Sequence, residues 1–243
     1  MYPVLFKIAG LSVYSYGFMI AFAFLFCTYL GQRSALKHGF PRDLIVNSAL
    51  VILFSGIIGA RILYVAINIK SYINDPIEII MLPHGGLAFY GGAITAIAAQ
   101  YIYIKVRKIP VYKFADFIIP YAVLGQAIGR IGCFLNGCCY GRQMDASHLY
   151  PTQLYSSFLL FGLYFFLKFI QKLKPKPGVI MVSYGILYSI GRFFMEFLRG
   201  DNTVFIVGLT FSQFVGVIVF AVSVSLLLFE RVPTKSGRVE KKT

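Results

Sequence analysis

The sequence predicts an all-α polytopic integral membrane protein of about seven transmembrane helices, with the amino terminus outside and the carboxyl terminus in the cytoplasm. Of 243 residues, 58% are hydrophobic and only 13% charged, and the mean hydropathy of +0.74 lies outside the soluble range. Apolar runs long enough to cross a hydrocarbon core of about 30 Å recur along the chain. Lysines and arginines collect in alternate links between those runs.

The first run covers residues 8–32, and only Lys7 precedes it as a cation. It lacks a short apolar core followed by a small-residue cleavage pattern, so it reads as a retained helix rather than a signal peptide. The second, 44–69, admits Arg61, and the third, 85–104, is uncharged. The fourth, 117–136, admits Arg130, whereas the fifth, 149–167, is uncharged. Arg192 and Glu196 fall in the sixth, 178–198, and the seventh run is 202–229. A strand barrel would show short alternating segments instead of continuous apolar ones. Residues 1–229 are therefore expected to form a single transmembrane domain, with 230–243 a basic cytoplasmic tail.

The net charge of +14 is explained by placement, with no nucleic-acid partner expected. Sixteen of the 23 Lys and Arg residues lie in three alternate links, around Lys37, Lys108 and Lys174, and in the tail. That alternation is the positive-inside pattern, which sets the orientation. The tail then faces anionic membrane lipid, at about 1 kcal/mol per cation near the surface.

A charge at mid-bilayer costs roughly 2.5–3.5 kcal/mol on insertion scales, so each one marks a functional position by default. With this orientation Arg61, Arg130, Arg192 and Glu196 sit in the outer parts of their helices, and Arg142 and Arg199 follow on the rim. Spacings of four and seven place Arg192, Glu196 and Arg199 on one helical face, a carboxylate between two guanidiniums. Interfacial arginines also snorkel to water. Several gathered at one depth fit planar, bidentate recognition of a phospholipid headgroup.

Two glycine-rich blocks accompany these charges. His84-Gly85-Gly86-Leu87-Ala88-Phe89-Tyr90-Gly91-Gly92 joins the second and third runs, and its glycines admit either a ligand or a neighbouring helix. Gly129-Arg130-Ile131-Gly132-Cys133-Phe134-Leu135-Asn136-Gly137-Cys138-Cys139-Tyr140-Gly141 ends the fourth run, with a density of glycine beside Arg and Asn that no generic packing rule asks for. This second block resembles the signature of prolipoprotein diacylglyceryl transferases. Four more motifs match in order: Tyr16-Gly17; Gly59, Arg61 and Tyr64; Tyr150-Pro151-Thr152-Gln153-Leu154-Tyr155; and Gly191-Arg192-Phe193 through Glu196 to Arg199.

The resemblance implies transfer of the diacylglyceryl group of phosphatidylglycerol to the lipobox cysteine at the end of a prolipoprotein signal peptide, with release of glycerol phosphate. It implies a bacterial cytoplasmic membrane location, a site toward the outer leaflet and no cofactor. Catalytic roles fall on Arg130, Arg192, Glu196, Tyr90 and Asn136. Substrate binding falls on Arg130, Tyr16, Arg61, Tyr64, Gly86, Gly91, Gly137, Gln153 and Arg199.

The chain departs from the family pattern in carrying Tyr90 and Tyr150 where histidines are usual and Cys133 where Asn is usual. The proton acceptor is then Tyr90, His84, His148 or none, since a thiol near pKa 8.5 is already partly ionised and arginines favour the thiolate. Cys27 reads as a small buried apolar residue. The run Cys133-x4-Cys138-Cys139 lacks the paired spacing of a zinc site, so no metal is expected, and the three thiols are either free or include a disulfide at Cys133 or Cys138. An anion transporter or channel, or a phospholipid-binding protein without chemistry, would use the same arginines.

Overall fold

The computed structural model describes residues 2–8, 11–73, 75–81, 85–145, 148–200, 204–206 and 208–228. His84, Asp201 and the tail 230–243 lie outside the described residues, as does the side chain of His148. Among the described residues the chain forms seven helices of 18 residues or more: α1 Ser15–Ala35, α2 Arg42–Ile67, α4 Phe89–Val106, α5 Val111–Asn136, α6 Thr152–Lys172, α7 Val179–Glu196 and α8 Phe211–Leu228. A single turn, α3 Ile69–Tyr72, follows α2. Six of the seven long helices are apolar enough to cross a membrane; α4 is long enough, but Tyr90, Gln100, Tyr101, Tyr103 and Lys105 dilute it.

Where the sequence predicts helix from residue 8, an antiparallel hairpin forms instead, β1 Val4–Ile8 with β2 Leu11–Tyr14, and α1 starts at Ser15. The expected seventh helix likewise begins late, after the hairpin β5 Val204–Ile206 with β6 Leu209–Thr210. A third hairpin, β3 Gln143–Asp145 with β4 His148–Leu149, precedes α6. Alternating and continuous apolar residues score alike in a hydropathy window, which hides short strands at a helix end.

The chain divides into two compact units, residues 1–31 with 112–243, and residues 32–111. In the second unit α2 and α4 meet backbone to backbone. A Cβ on Gly59 would lie 2.7 Å from the Gly91 carbonyl oxygen, and one on Gly92 would lie 2.8 Å from that of Gly56. Small residues replace the hydrophobic effect as the packing device when the solvent is lipid. Gln100 Nε2 donates to the buried Ser48 hydroxyl at 3.1 Å across the same pair.

In the first unit α5 is the central helix. Val123 and Ala127 pack with Leu160 and Leu167 of α6 and Ile180 of α7. Leu124 and Ile128 pack with Ala23 of α1. Ser157 donates to the Ala127 carbonyl at 2.8 Å, and Gln126 Nε2 to the Tyr184 hydroxyl at 3.1 Å. At the lysine-rich end of this unit, Asp116 accepts the amides of Gly178 and Met181 at 2.5 and 2.8 Å, capping the start of α7 from another helix. Large apolar side chains stay exposed on the helices, Phe158 at 79%, Ile97 at 72% and Phe194 at 65%. Such surfaces suit a lipid solvent.

Candidate functional site

The signature block at the end of α5 resolves into separate structural tasks. A Cβ on Gly132 would lie 2.9 Å from Met19 Cβ and 3.6 Å from the Tyr16 ring, so its absence lets α1 press against α5 at Tyr16. Asn136 closes the helix, and Gly137 follows in the left-handed conformation with φ 77°. The Gly137 amide bonds the Phe134 carbonyl at 3.2 Å and the Cys138 amide bonds that of Cys133 at 3.1 Å. This paired capping pattern stops the helix and turns the chain back on itself. Packing and capping thus account for glycines that the sequence alone leaves unexplained, and Gly137 serves the turn.

Three segments then cross closely. The Gly141 amide donates to Tyr150 O at 2.9 Å, the Tyr150 amide to Arg142 O at 3.1 Å, and the Arg142 amide to Leu198 O at 2.8 Å. A Cβ on Gly141 would lie 2.6 Å from Leu198 O, which explains glycine there. Gln153, 1% exposed, donates through Nε2 to Cys138 O at 2.7 Å, and the Thr152 hydroxyl donates to Cys139 O at 3.1 Å. Gln153 therefore holds the cysteine turn, while its Oε1 is buried without a hydrogen-bond partner among the described residues.

Glu196 is the buried anion of the site. Arg192 Nη1 contacts its Oε2 at 2.8 Å, and the Thr210 hydroxyl donates to its Oε1 at 2.8 Å. Arg192 Nη2 also donates to Ser212 Oγ at 3.0 Å. Thr210 and Gln213 form a reciprocal capping box at the start of α8: the Thr210 amide donates to Gln213 Oε1 at 3.0 Å, and the Gln213 amide to Thr210 Oγ1 at 3.3 Å. Glu196 thus sits by the positive end of a helix dipole. The sequence reading missed Thr210, Ser212 and Gln213, although Thr-x-x-Gln before an apolar run is a legible cap. The helix ends at Glu196, so Arg199 leaves the expected shared face; it lies in the crossing, bridged to Gly141.

Arg130 is half-buried nearly two helical turns before the cap. Among the described residues it has neither a hydrogen-bond nor an ion-pair partner, yet its charge acts on Tyr16, Cys133, Cys139 and Arg192. Arg192 also feels Arg199. The first unit therefore brings together Tyr16, Arg130, Asn136, Gln153, Arg192, Glu196 and Arg199. Its three cysteine sulfurs lie within 4.8 Å of one another, a convergence the spacing argument did not anticipate because Gly137 reverses the chain. The Cys139 thiol is held below the usual thiol range by a hydrogen bond with Cys133, helped by Cys138, Arg199 and Arg130 against burial.

In the second unit Arg61, 6% exposed, faces a collar of carbonyls. Nε donates to Ile79 O at 3.0 Å, Nη1 to Gly85 O and Gly86 O at 2.5 and 3.0 Å, and Nη2 to Glu78 O and Met81 O at 2.5 and 3.2 Å. This guanidinium is committed to shaping the link between α3 and α4. Gly86 (φ 81°) leaves room for it, since a Cβ there would lie 2.4 Å from the Tyr64 ring and 2.8 Å from Arg61 Nη1. Tyr64 and Tyr72 flank the guanidinium at 6.0 and 5.4 Å. Gly91 packs α4 on α2, so of the two uses the sequence left open for it, the neighbouring helix is the one seen. Tyr90, 43% exposed, begins α4 edge-on to Phe89.

A sequence model for prolipoprotein diacylglyceryl transferase matches residues 3–229. A phosphatidylglycerol–prolipoprotein diacylglyceryl transferase of Clostridium tetani is 37% identical over 94% of this chain and 97% of its own. A second, numbered 2, from Clostridium perfringens is 34% identical over 98% and 99% respectively. One from Clostridioides difficile is 37% identical over 82% and 84%. The five motifs of the sequence and a match over nearly the full length agree: this chain belongs to the prolipoprotein diacylglyceryl transferase family.

Proposed function

We propose that this chain moves the diacylglyceryl group of phosphatidylglycerol onto the lipobox cysteine thiol of a prolipoprotein, forming a thioether and releasing glycerol phosphate. The observation that carries the reading is Arg130, a half-buried guanidinium without a partner among the described residues, in the field of Arg192, itself close to Arg199. Gathered guanidiniums repel unless an anion completes them, and Glu196 is already engaged by Arg192 and Thr210. A phosphodiester headgroup has the charge and the planar acceptor geometry to do so.

In the reaction the thiolate attacks the glyceryl carbon and the phosphate leaves, so negative charge grows on the phosphate oxygens. Arg130 binds that growing charge more strongly than the ground-state diester, which is what lowers the barrier. Glu196 organises Arg192 instead of moving a proton. Tyr16 packs beside this site on α1, while Tyr90, Tyr64 and the Arg61 collar belong to the second unit. The positive-inside pattern supports a multi-pass protein of the bacterial cytoplasmic membrane with the arginines toward the outer leaflet. An anion transporter is not favoured, because the chain shares family and length with transferases. The test is to incubate purified protein with phosphatidylglycerol labelled in its diacylglyceryl moiety and a lipobox peptide. Label on the peptide with equimolar glycerol phosphate is expected; headgroup binding without transfer would refute it.

A further inference from the structure

Neither packing nor the phosphate-binding arginines account for the three cysteines that meet at the end of α5. Cys133 lies in its last turn, Cys138 and Cys139 follow the Gly137 cap, and all three are free thiols with sulfurs within 4.8 Å of one another. The backbone is held for this convergence from several sides. Cys139 takes φ 61°, a left-handed conformation that non-glycine residues adopt seldom. Thr152 and Gln153 bind the carbonyls of Cys139 and Cys138, and the Cys138 amide binds Cys133 O. The Gln153 amide that holds this turn keeps a buried Oε1 with no hydrogen-bond partner among the described residues.

We propose that Cys133, Cys138 and Cys139 hold a zinc-class divalent cation as three thiolates and leave its fourth position to the cysteine thiol that the enzyme alkylates. The proposal rests on the transferase reading above. A Zn–S bond of about 2.3 Å places tetrahedral sulfurs roughly 3.8 Å apart, so sulfurs already within 4.8 Å need close by only about 1 Å. Three protein ligands with one open position is the pattern of catalytic rather than structural zinc. A disulfide would use two of the sulfurs and leave the third without a purpose. Among the described residues the group holds three thiols, and the side chains of Arg130, Arg199, Thr152 and Gln153 add no fourth thiolate or imidazole. The two guanidiniums instead offset the negative charge that three thiolates and a substrate thiolate leave on a dication.

Arg130 precedes Cys133 by three residues, so the two share one face of α5. A metal-held sulfur would then stand beside the group that receives the phosphate, as attack on the adjoining glyceryl carbon requires. On binding, the incoming thiol releases its proton to solvent, because a coordinated thiol is deprotonated. Its sulfur pair forms the C–S bond while the C–O bond to phosphate breaks, and that pair leaves on glycerol phosphate. Zinc remains divalent, and no oxidant takes part. A metal in this place would remove the need for a general base in a chain that carries Tyr90 where the family usually has histidine.

The test uses the full chain in lipid nanodiscs, stripped with a chelator under reducing conditions and reloaded with Zn(II), or with Cd(II) as an optical probe. The expected result is one metal per chain and a thiolate-to-cadmium absorption band that is lost in Cys139→Ala and in Cys138→Ser but kept in Cys27→Ala. Transfer should fall by about a hundredfold on stripping, the lower end of what proton management supplies, and return with Zn(II). Full transfer by stripped protein overturns the metal's role and leaves the transferase reading intact. Absence of stoichiometric binding overturns the site itself. Stoichiometric binding with no transfer in either metal state overturns the transferase reading, and the fourth-ligand assignment with it.

Discussion

Replacing Arg130 separates a reacting guanidinium from a snorkelling one. Arg130 is half-buried, has no counter-ion among the described residues and lies in the field of Arg192, which Glu196 and Ser212 hold in place. Removing it breaks no hydrogen bond among the described residues and relieves repulsion, so Arg130→Ala should fold at least as well as the parent protein. Its cost should fall on the step in which phosphate charge grows, at about 3–4 kcal/mol, or a hundredfold to a thousandfold in rate. Arg130→Lys keeps the charge but loses the fork, and should be nearly as impaired. Arg142→Ala should be mild, because Arg142 is exposed and binds the crossing through its backbone. The assay is single-turnover transfer from labelled phosphatidylglycerol per correctly inserted protein, with thermal stability measured alongside. Near-normal transfer by Arg130→Ala, or a loss matched by unfolding, would refute the assignment.

Arg61→Ala should behave in the opposite way. It strips five donors from the carbonyls of residues 78–86, at about 1.5 kcal/mol or more for each bond to a charged group before non-additivity; limited proteolysis should cut that link faster, and unchanged proteolysis with lost transfer would return Arg61 to substrate binding. Glu196→Gln should retain the Thr210 contact but weaken the Arg192 pair, lowering kcat without moving the pH optimum; a shift of one unit or more in the pH–rate profile would make Glu196 an acid or base. In metal-free protein Cys139 should alkylate at a pH below the ordinary thiol range. Cys133→Ala should raise that pH, because the Cys133 hydrogen bond is the leading cause of the lowering; an unchanged profile counts against the contact. Single cysteines at Lys37, Lys108 and Lys174 should resist an impermeant thiol reagent in intact cells while those at Lys70, Arg142 and Asp201 react, and the reverse pattern would invert the topology.

The helices were legible because bilayer solvation imposes one rule on every span: length and apolarity with internal backbone bonding. Their ends were less so, since strands β1 and β2 and strands β5 and β6 are as apolar as the helices they precede. The glycines show a deeper limit. A glycine records that something stands close, and the sequence does not say what. At Gly91 it is the backbone of α2, at Gly132 it is Met19 of α1, and at Gly141 it is Leu198 O. The cysteine triad was hidden for a related reason: Cys-x4-Cys-Cys is unpromising on a continuous helix, and it converges only because the helix stops at Gly137.

The two arginines sharpen the same point. Arg61 and Arg130 each lie inside an apolar run beside glycines, and each matches a family motif. What distinguishes them is the supply of internal acceptors. The link at 78–86 turns five carbonyl contacts toward Arg61, and that guanidinium is satisfied within its own unit. No described group does the same for Arg130. A half-buried guanidinium retains a strong demand for acceptors in a low-dielectric site, so Arg130, unanswered among the described residues, is the arginine we propose to meet an anion from the membrane.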